Sequence, residues 1–223
     1  MAIIECQYAG VVRRVGPGMK NLRVVVAFAA GSFASRLKSE RLCARKARRL
    51  SWAEAATMPC VFAAALYSLV DVARLPTGDA TSSAYKTVYV HSACGGIRLA
   101  AIHVCTMVGA EVYLLLGVTA RPLSGRHWHS QGRIFRPRNN TFLYDTLSAT
   151  GGRRFDVALN SLSGGLLHAS WQCVADFVMM IELGERDFIG KGHLAMETIE
   201  PNRTFTGVEL GLICERRPDL TRG

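Results

Sequence analysis

The sequence predicts an α/β fold built on a parallel sheet, and two observations carry that prediction. Apolar, β-branched runs alternate with helical patterns from residue 86 onward, and the first of these runs ends in a glycine turn that opens a helix. Strands are predicted at 86–92, 111–116, 156–161 and 177–183, with helices at 96–108 and 165–176. Because such alternation gives parallel strands joined by right-handed helical crossovers, we expect a doubly wound sheet of the Rossmann type.

The chain before residue 86 has a different pattern. Strands are predicted at 9–15 and 22–28, on either side of the turn Gly16-Pro-Gly18. A helix is expected to begin at Ser51-Trp-Ala-Glu54, which has the spacing of a capping box. Met58-Pro59 interrupts that helix, and Cys60 to Leu75 continues as a second one. Later, between 117 and 140, glycines and prolines replace an expected helix, so that segment is either a loop or a damaged element.

Composition predicts a globular protein that buries a core, since 49% of its 223 residues are apolar and 20% are charged. The longest apolar run, Met58 to Val70, is shorter than a bilayer-spanning helix, and no secretory signal is found, so we expect a cytoplasmic location without membrane contact. The net charge of +10 is interpreted as a solvated basic surface, because no nucleic-acid-binding motif accompanies it. Seven dispersed cysteines without a C-x-x-C pair favour reduced thiols and no bound metal.

The turn after the first parallel strand is a candidate phosphate-binding site. Backbone N–H groups at the start of a helix stabilise an anion, and the turn supplies Ala93, Cys94, Gly95 and Gly96. In a dinucleotide turn, glycines allow the tight bend, the approach of the pyrophosphate and the contact between helix and strand. Arg98 stands at the third of these positions, where its side chain would displace the helix from the sheet or point outward.

The end of the second parallel strand bears on which dinucleotide binds. NAD sites carry an acidic residue about 20 residues after the turn, and Gly117-Val-Thr-Ala-Arg121 contains none. A missing carboxylate beside an arginine favours the 2′-phosphate of NADP, with Thr119 and Arg121 as candidate contacts. The alternative is that Arg121 is one more solvated charge in a basic loop.

Two later segments are predicted to reach the same edge of the sheet, where ligands bind in open α/β folds. Asn160 and Ser161 follow the third strand, and Leu183-Gly184 follows the fourth. Asn160 and Ser161 are candidates to hydrogen-bond a nicotinamide or a ribose. Alternatively, the polar run serves the next helix, with Ser163 as its cap.

Four motifs along the chain share one family pattern. They are Ala55-Ala-Thr-Met-Pro-Cys60, His91-Ser-Ala-Cys-Gly-Gly96, Val157-Ala-Leu-Asn-Ser-Leu-Ser-Gly-Gly165 and Glu182-Leu-Gly-Glu-Arg-Asp-Phe188. They resemble the enoyl reductase domain of highly reducing, fungal-type polyketide synthases, a zinc-free branch of the medium-chain dehydrogenase/reductase superfamily. The resemblance implies NADPH-dependent reduction of an α,β-unsaturated thioester carried by an acyl carrier protein, within or beside a polyketide synthase. It is also compatible with a homodimer.

The same resemblance implies a domain organisation. Residues 51–195 correspond to the NADP-binding domain, and residues 1–50 to part of a β-rich, GroES-like substrate domain. Residues 196–223 are expected to be the return of the chain to that substrate domain. Both flanks of the substrate domain are expected to be incomplete.

The sequence departs from the family pattern at the residues proposed for protonation. The resemblance implies a lysine after the second nucleotide-binding strand and an aspartate that works with it. Residues 117–126 contain no lysine, and Asn139 aligns with the aspartate. No catalytic residue is therefore assigned. Two alternatives to the reductase remain: a catalytically impaired module that keeps the fold, and a free-standing quinone or enone reductase.

Overall fold

The computed structural model describes residues 7–17, 24–28, 32–38, 43–77, 86–92, 95–117, 133–135 and 142–217. The chain divides into two compact units, one formed by residues 1–64 with 210–223 and the other by residues 65–209. The first unit contains a small antiparallel sheet, and the second contains a larger parallel sheet. None of the described helices is long and apolar enough to cross a membrane.

The first unit is built on a three-stranded antiparallel sheet. Its strands, in spatial order, are β1 (Gln7–Val11), β2 (Val24–Phe28) and β3 (Cys43–Arg45). β1 pairs with β2 from Gln7 opposite Phe28 to Val11 opposite Val24, so the two strands predicted around the glycine-proline turn are neighbours. Val25 and Ala27 are buried, which is the alternation expected of a strand with one covered face.

The predicted capping box marks the first helix. Ser51 Oγ accepts the Glu54 N–H at 3.2 Å, and Glu54 Oε2 accepts the Ser51 N–H at 2.8 Å. Each side chain satisfies a backbone N–H that the first turn of the helix leaves unpaired. The helices here are α1 (Trp52–Ala56) and α2 (Pro59–Leu66), which continues as a π-helical turn over Tyr67–Val72. The helix start and the interruption at Met58-Pro59 are confirmed.

The second unit is built on a six-stranded sheet whose strand pairs are all parallel. Its strands are β4 (Thr87–Ser92), β5 (Glu111–Leu116), β6 (Ile134–Phe135), β7 (Phe155–Asn160), β8 (Val174–Glu182) and β9 (Thr204–Gly207). The spatial order is β6-β5-β4-β7-β8-β9, which is 3-2-1-4-5-6 when the strands are counted within this sheet. That order belongs to the doubly wound Rossmann fold, and the predicted fold class is confirmed.

This unit contains four further helices, α3 (Gly95–Met107), α4 (Phe142–Ala149), α5 (Gly165–Trp171) and α6 (Arg186–Ile189). One more helix, α7 (Leu210–Arg216), belongs to the first unit. Consecutive residues of the central strands, 88–90 in β4 and 157–159 in β7, are buried. Burial of successive residues means that both faces of the sheet are covered, as expected of a parallel sheet between helices.

Four helices differ from the prediction, since no helix was predicted at α4, α6 or α7 and α5 is shorter than expected. α4 was not predicted, and it is held by burial of Phe142 and Thr146, whose Oγ1 lies 3.4 Å from the Tyr89 hydroxyl. α5 ends five residues earlier than predicted. There the chain turns into the sheet, because Phe155 donates its N–H to the Cys173 carbonyl at 2.8 Å and then pairs with Val174.

The residue boundaries of the two compact units also differ from those of the predicted domains. Residues 51–64 group with the first unit. Residues 196–209, expected in the substrate domain, group with the parallel sheet, because β9 pairs with β8 from Met179 opposite Thr204 to Glu182 opposite Gly207. The assignment of separate cofactor and substrate roles to these parts remains a prediction.

Candidate functional site

Three buried polar side chains meet at the carboxyl ends of three neighbouring strands. His91 stands near the end of β4, Asn160 ends β7 and Glu182 ends β8. Their exposed fractions are 3%, 0% and 2%, respectively. β4 and β7 flank the point where the strand order reverses, which is where ligands bind in open α/β sheets. The cluster therefore lies at the expected ligand-binding edge.

Asn160 is the centre of this cluster, and its amide has one orientation. The Leu162 N–H donates to Oδ1 at 3.3 Å, while Nδ2 donates to the Leu162 carbonyl at 2.9 Å. If the amide were flipped, Nδ2 would face the Leu162 N–H and Oδ1 would face the Leu162 carbonyl, and neither pair could form a hydrogen bond. The backbone of Leu162 therefore fixes which amide atom faces each neighbour. Oδ1 consequently faces His91, and Nδ2 faces Glu182.

The orientation of Asn160 determines the tautomer of His91. His91 Nδ1 lies 2.5 Å from Asn160 Oδ1, so Nδ1 carries the proton and donates it. Burial lowers the pKa of His91 to about 4, and the bond to Asn160 opposes that shift in part. The ring is therefore neutral at physiological pH. Its Nε2 is a bare acceptor that has no hydrogen-bond partner within the described part of the chain.

Glu182 accepts hydrogen bonds on both carboxylate oxygens. The Gly184 N–H donates to Oε1 at 2.6 Å, and Asn160 Nδ2 donates to Oε2. Burial raises the pKa of Glu182, the two N–H donors oppose that change, and the carboxylate of Asp187 adds to it. Both oxygens face donors, which is the arrangement that suits an ionised carboxylate.

Hydrogen bonds join the loops that follow β7 and β8 at this edge. Leu183 donates its N–H to the Asn160 carbonyl at 2.9 Å, and Gly164 donates its N–H to Asp187 Oδ2 at 2.8 Å. Gly164 has φ of 58° and ψ of −135°, a conformation that essentially only glycine adopts. A Cβ on Gly184 would lie 2.7 Å from Glu182 Oε1, so a larger residue there would displace the Glu182 carboxylate, while Ser161 Cα in the other loop would lie in ordinary contact at 3.5 Å.

The N-terminus of α3 forms the other part of the edge. Gly95 begins this 13-residue helix directly after β4, and a Cβ added there would meet no atom within 4 Å. Open space in front of a helix N-terminus suits the approach of a phosphate. Arg98 does not point outward as one alternative predicted, since it is 7% exposed. α3 nevertheless packs against β4 and β5, with Ala100 and Ala101 fully buried.

The comparison with known proteins starts from sequence. No protein-family model matches the chain. The highly reducing polyketide synthase lcsB of Purpureocillium lilacinum is 43% identical over 222 residues, which are 97% of this chain and 9% of the synthase. The nucleotide-binding subdomain of the enoylreductase domain of PpsC from Mycobacterium tuberculosis is 30% identical, with a TM-score of 0.61. That match covers 73% of this chain and 87% of the subdomain.

The chain belongs to the enoyl reductase domains of polyketide synthases. A further structure, that of the CurK enoyl reductase, has the same fold, with a TM-score of 0.78 at 24% identity. The match covers 97% of this chain and 63% of CurK. The chain spans less than a tenth of the length of the curated synthases that it matches.

In this enoyl reductase domain, the structure brings together four of the predicted cofactor residues, Asn160, Ser161, Leu183 and Gly184, through the loop contacts of β7 and β8. Gly95 and Gly96 lie in the first turn of α3. The other predicted contacts that lie outside the described residues are Ala93, Cys94, Thr119 and Arg121. The described part of the chain contains no cluster of three or more His, Cys, Asp and Glu side chains that could hold a metal.

Sequence reasoning missed the roles of His91 and Glu182. Both residues stand at the ends of strands that are otherwise apolar, and this was the available signal. The side-chain bonds that join them are distant in sequence, because the hydrogen bond from His91 to Asn160 spans 69 positions and the bond from Asn160 to Glu182 spans 22. The cluster exists only once β4, β7 and β8 are placed side by side.

Proposed function

We propose that this chain is an NADPH-dependent enoyl reductase of polyketide assembly, acting in the cytoplasm. Its substrate would be an α,β-unsaturated acyl thioester on an acyl carrier protein, and its context a polyketide synthase. The 30% identity to an enoylreductase nucleotide-binding subdomain, of which the match covers 87%, carries the proposal. The homodimer that is compatible with the family resemblance is part of the same proposal.

The residues at the switch point fit a dinucleotide. The N-terminus of α3 would offer its first backbone N–H groups to a pyrophosphate, and there is open space beside Gly95. In this fold one mononucleotide half binds on each side of the reversal point. The adenosine half would lie on the β5 side, where Thr119 and Arg121 are candidates for a 2′-phosphate, and the nicotinamide half would lie on the β7 and β8 side.

The bound nicotinamide would supply a hydride to the β-carbon of the substrate. The chain's own part is to hold the ring against the sheet edge. Asn160 has its amide fully engaged by protein partners, so we assign it to positioning the loops rather than to touching the ring. Leu183, Gly184 and Ser161 remain the candidates for direct contact. The enolate left after hydride addition requires a proton, and no side chain is assigned to deliver it.

A second candidate function is a non-catalytic module that keeps this fold. What favours it is the residue pattern at the positions that the family resemblance proposes for protonation: the resemblance implies an aspartate where Asn139 stands, and a lysine within residues 117–126, which contain none. Such a module would retain the buried cluster at the sheet edge, because that cluster also stabilises the fold.

Turnover distinguishes these functions. The purified 223-residue chain, given NADPH and a crotonyl thioester of pantetheine, is expected to consume NADPH only when the thioester is present and to release the saturated thioester. NADH should serve less well, and R121A should lose affinity for NADPH but not for NADH. Binding of NADPH without turnover would favour the non-catalytic module. A folded chain that neither binds nor oxidises NADPH would contradict the proposal.

A further inference from the structure

We propose that the buried carboxylate of Glu182 makes this chain favour the oxidised, cationic nicotinamide ring over the neutral reduced ring. The inference rests on the proposed function, since it requires a nicotinamide bound at the switch point. It assigns Glu182 a role in setting the reducing strength of the bound cofactor.

The hydrogen bonds of Glu182 define its charge. Its partners are the Gly184 N–H on Oε1 and Asn160 Nδ2 on Oε2, and both are donors. A protonated carboxyl group would need an acceptor for its own hydrogen. Asn160 cannot turn its oxygen toward Glu182, because Leu162 holds the amide by its N–H and its carbonyl together. These contacts favour the carboxylate form of Glu182 and oppose the rise in its pKa that burial causes.

The surroundings of Glu182 leave this charge largely unscreened. The side chain is 2% exposed, and His91, the other titratable member of the cluster, is neutral. Within the described residues, Glu182 forms no ion pair with a lysine or an arginine, whereas Asp156 at the opposite end of the sheet pairs with Lys86 and Arg153. The carboxylate of Asp187 adds to the rise in its pKa. A buried anion of this kind acts over a longer range than a charge in water.

The position of Glu182 in the sheet places this charge on the side of the switch point that is proposed for the nicotinamide half. Glu182 ends β8, and its Gly184 partner lies in the loop on the side of the switch point away from β5. At an effective dielectric constant of about 20, unit charges about 12 Å apart change a dissociation constant by about tenfold. The oxidised ring carries a positive charge and the reduced ring carries none, so only the oxidised form gains this attraction.

The consequence is a bound cofactor that gives up hydride more readily. An approximately tenfold preference for the oxidised form corresponds to a potential about 30 mV lower for a two-electron couple. That direction suits an enzyme that reduces its substrate. Positive charge develops on the ring during hydride transfer, and a fixed anion nearby stabilises it.

The test is the ratio of dissociation constants for NADP⁺ and NADPH, measured by calorimetry on the full chain. E182Q removes the charge and is expected to raise the NADP⁺/NADPH ratio about tenfold relative to wild type. E182M removes the same charge without adding an amide. Because two neutral variants are compared, the test remains possible if one of them does not fold. E182D keeps a carboxylate and should hold the ratio near that of wild type, even where both constants rise.

D156N is the matched control. It removes a carboxylate charge, one that is paired with Lys86 and Arg153, from the opposite end of the same sheet, at the second residue of β7, and should leave the ratio unchanged. If the neutral Glu182 variants weaken both cofactor forms by the same factor, Glu182 has only a structural role and the inference is overturned. If wild type binds neither form, the proposed function fails, and this inference fails with it.

Discussion

Replacing Asn160 by alanine is expected to lower the free energy of unfolding by about 3–5 kcal/mol. The variant removes the only described partner of the His91 N–H and one of the two donors to the buried Glu182 carboxylate. The N–H and carbonyl of Leu162 also lose their partners. Polar groups left unpaired in the interior keep their full cost of desolvation, which is why this small truncation has a large effect. Equilibrium unfolding in urea measures it.

A matched control separates this effect from the loss of any amide. Gln172 carries the same functional group just after α5 and is exposed to solvent. Q172A should therefore stay within about 0.5 kcal/mol of wild type. An N160A variant that unfolds within about 1 kcal/mol of wild type would show that the cluster contributes little to stability, and would contradict its description as a coupled network.

Acidification is expected to destabilise the fold through His91. The pKa of its imidazole is about 4 in the folded chain, against about 6.5 when unfolded, so between these values the unfolded state binds more protons. The contribution of His91 to stability is therefore complete above pH 6.5 and declines as the pH falls toward 4. The total loss is about 3 kcal/mol. Unfolding free energies measured across this window test the sign and the size.

H91Q isolates this contribution, because it removes the titrating ring and leaves Glu182 in place. The raised pKa of Glu182 acts in the opposite direction, since it favours proton uptake by the folded state, and it is common to both proteins. The stability of wild type should fall more steeply with acid than that of H91Q. Parallel curves for the two proteins would mean that His91 is not held neutral by burial.

The alternation of β4, β5, β7 and β8 with helices was readable from sequence, because each of these strands is a short, mainly apolar run with a turn at its end. Prediction failed where contacts distant in sequence decide the structure. α4 depends on burial of Phe142 and on Thr146 meeting Tyr89, and no local signal reports either contact. The helical pattern after Gly165 continues through Val174, but pairing of Val174 with Phe155 places that residue in the sheet.

The candidate site shows the same limit. Asn160 and Leu183-Gly184 could be predicted, because any polar residue or glycine at the carboxyl end of a parallel strand falls on the ligand-binding edge. His91 and Glu182 could not be assigned, since their importance comes from the hydrogen bonds that join β4, β7 and β8. Arg98 illustrates a different difficulty. The sequence predicted either a helix displaced from the sheet or an outward-pointing side chain, and the helix instead buries Arg98 while still packing on the sheet.

The most direct test of the central claim is amide hydrogen exchange of the full chain with and without NADPH. The claim is that a nicotinamide dinucleotide binds at the switch point of the parallel sheet. NADPH is expected to slow exchange at the start of α3 and in the loops after β7 and β8, residues 160–164 and 183–187, with a weaker effect from NADH. Unchanged exchange in these three segments, or protection confined to the antiparallel sheet of residues 7–45, would contradict the account.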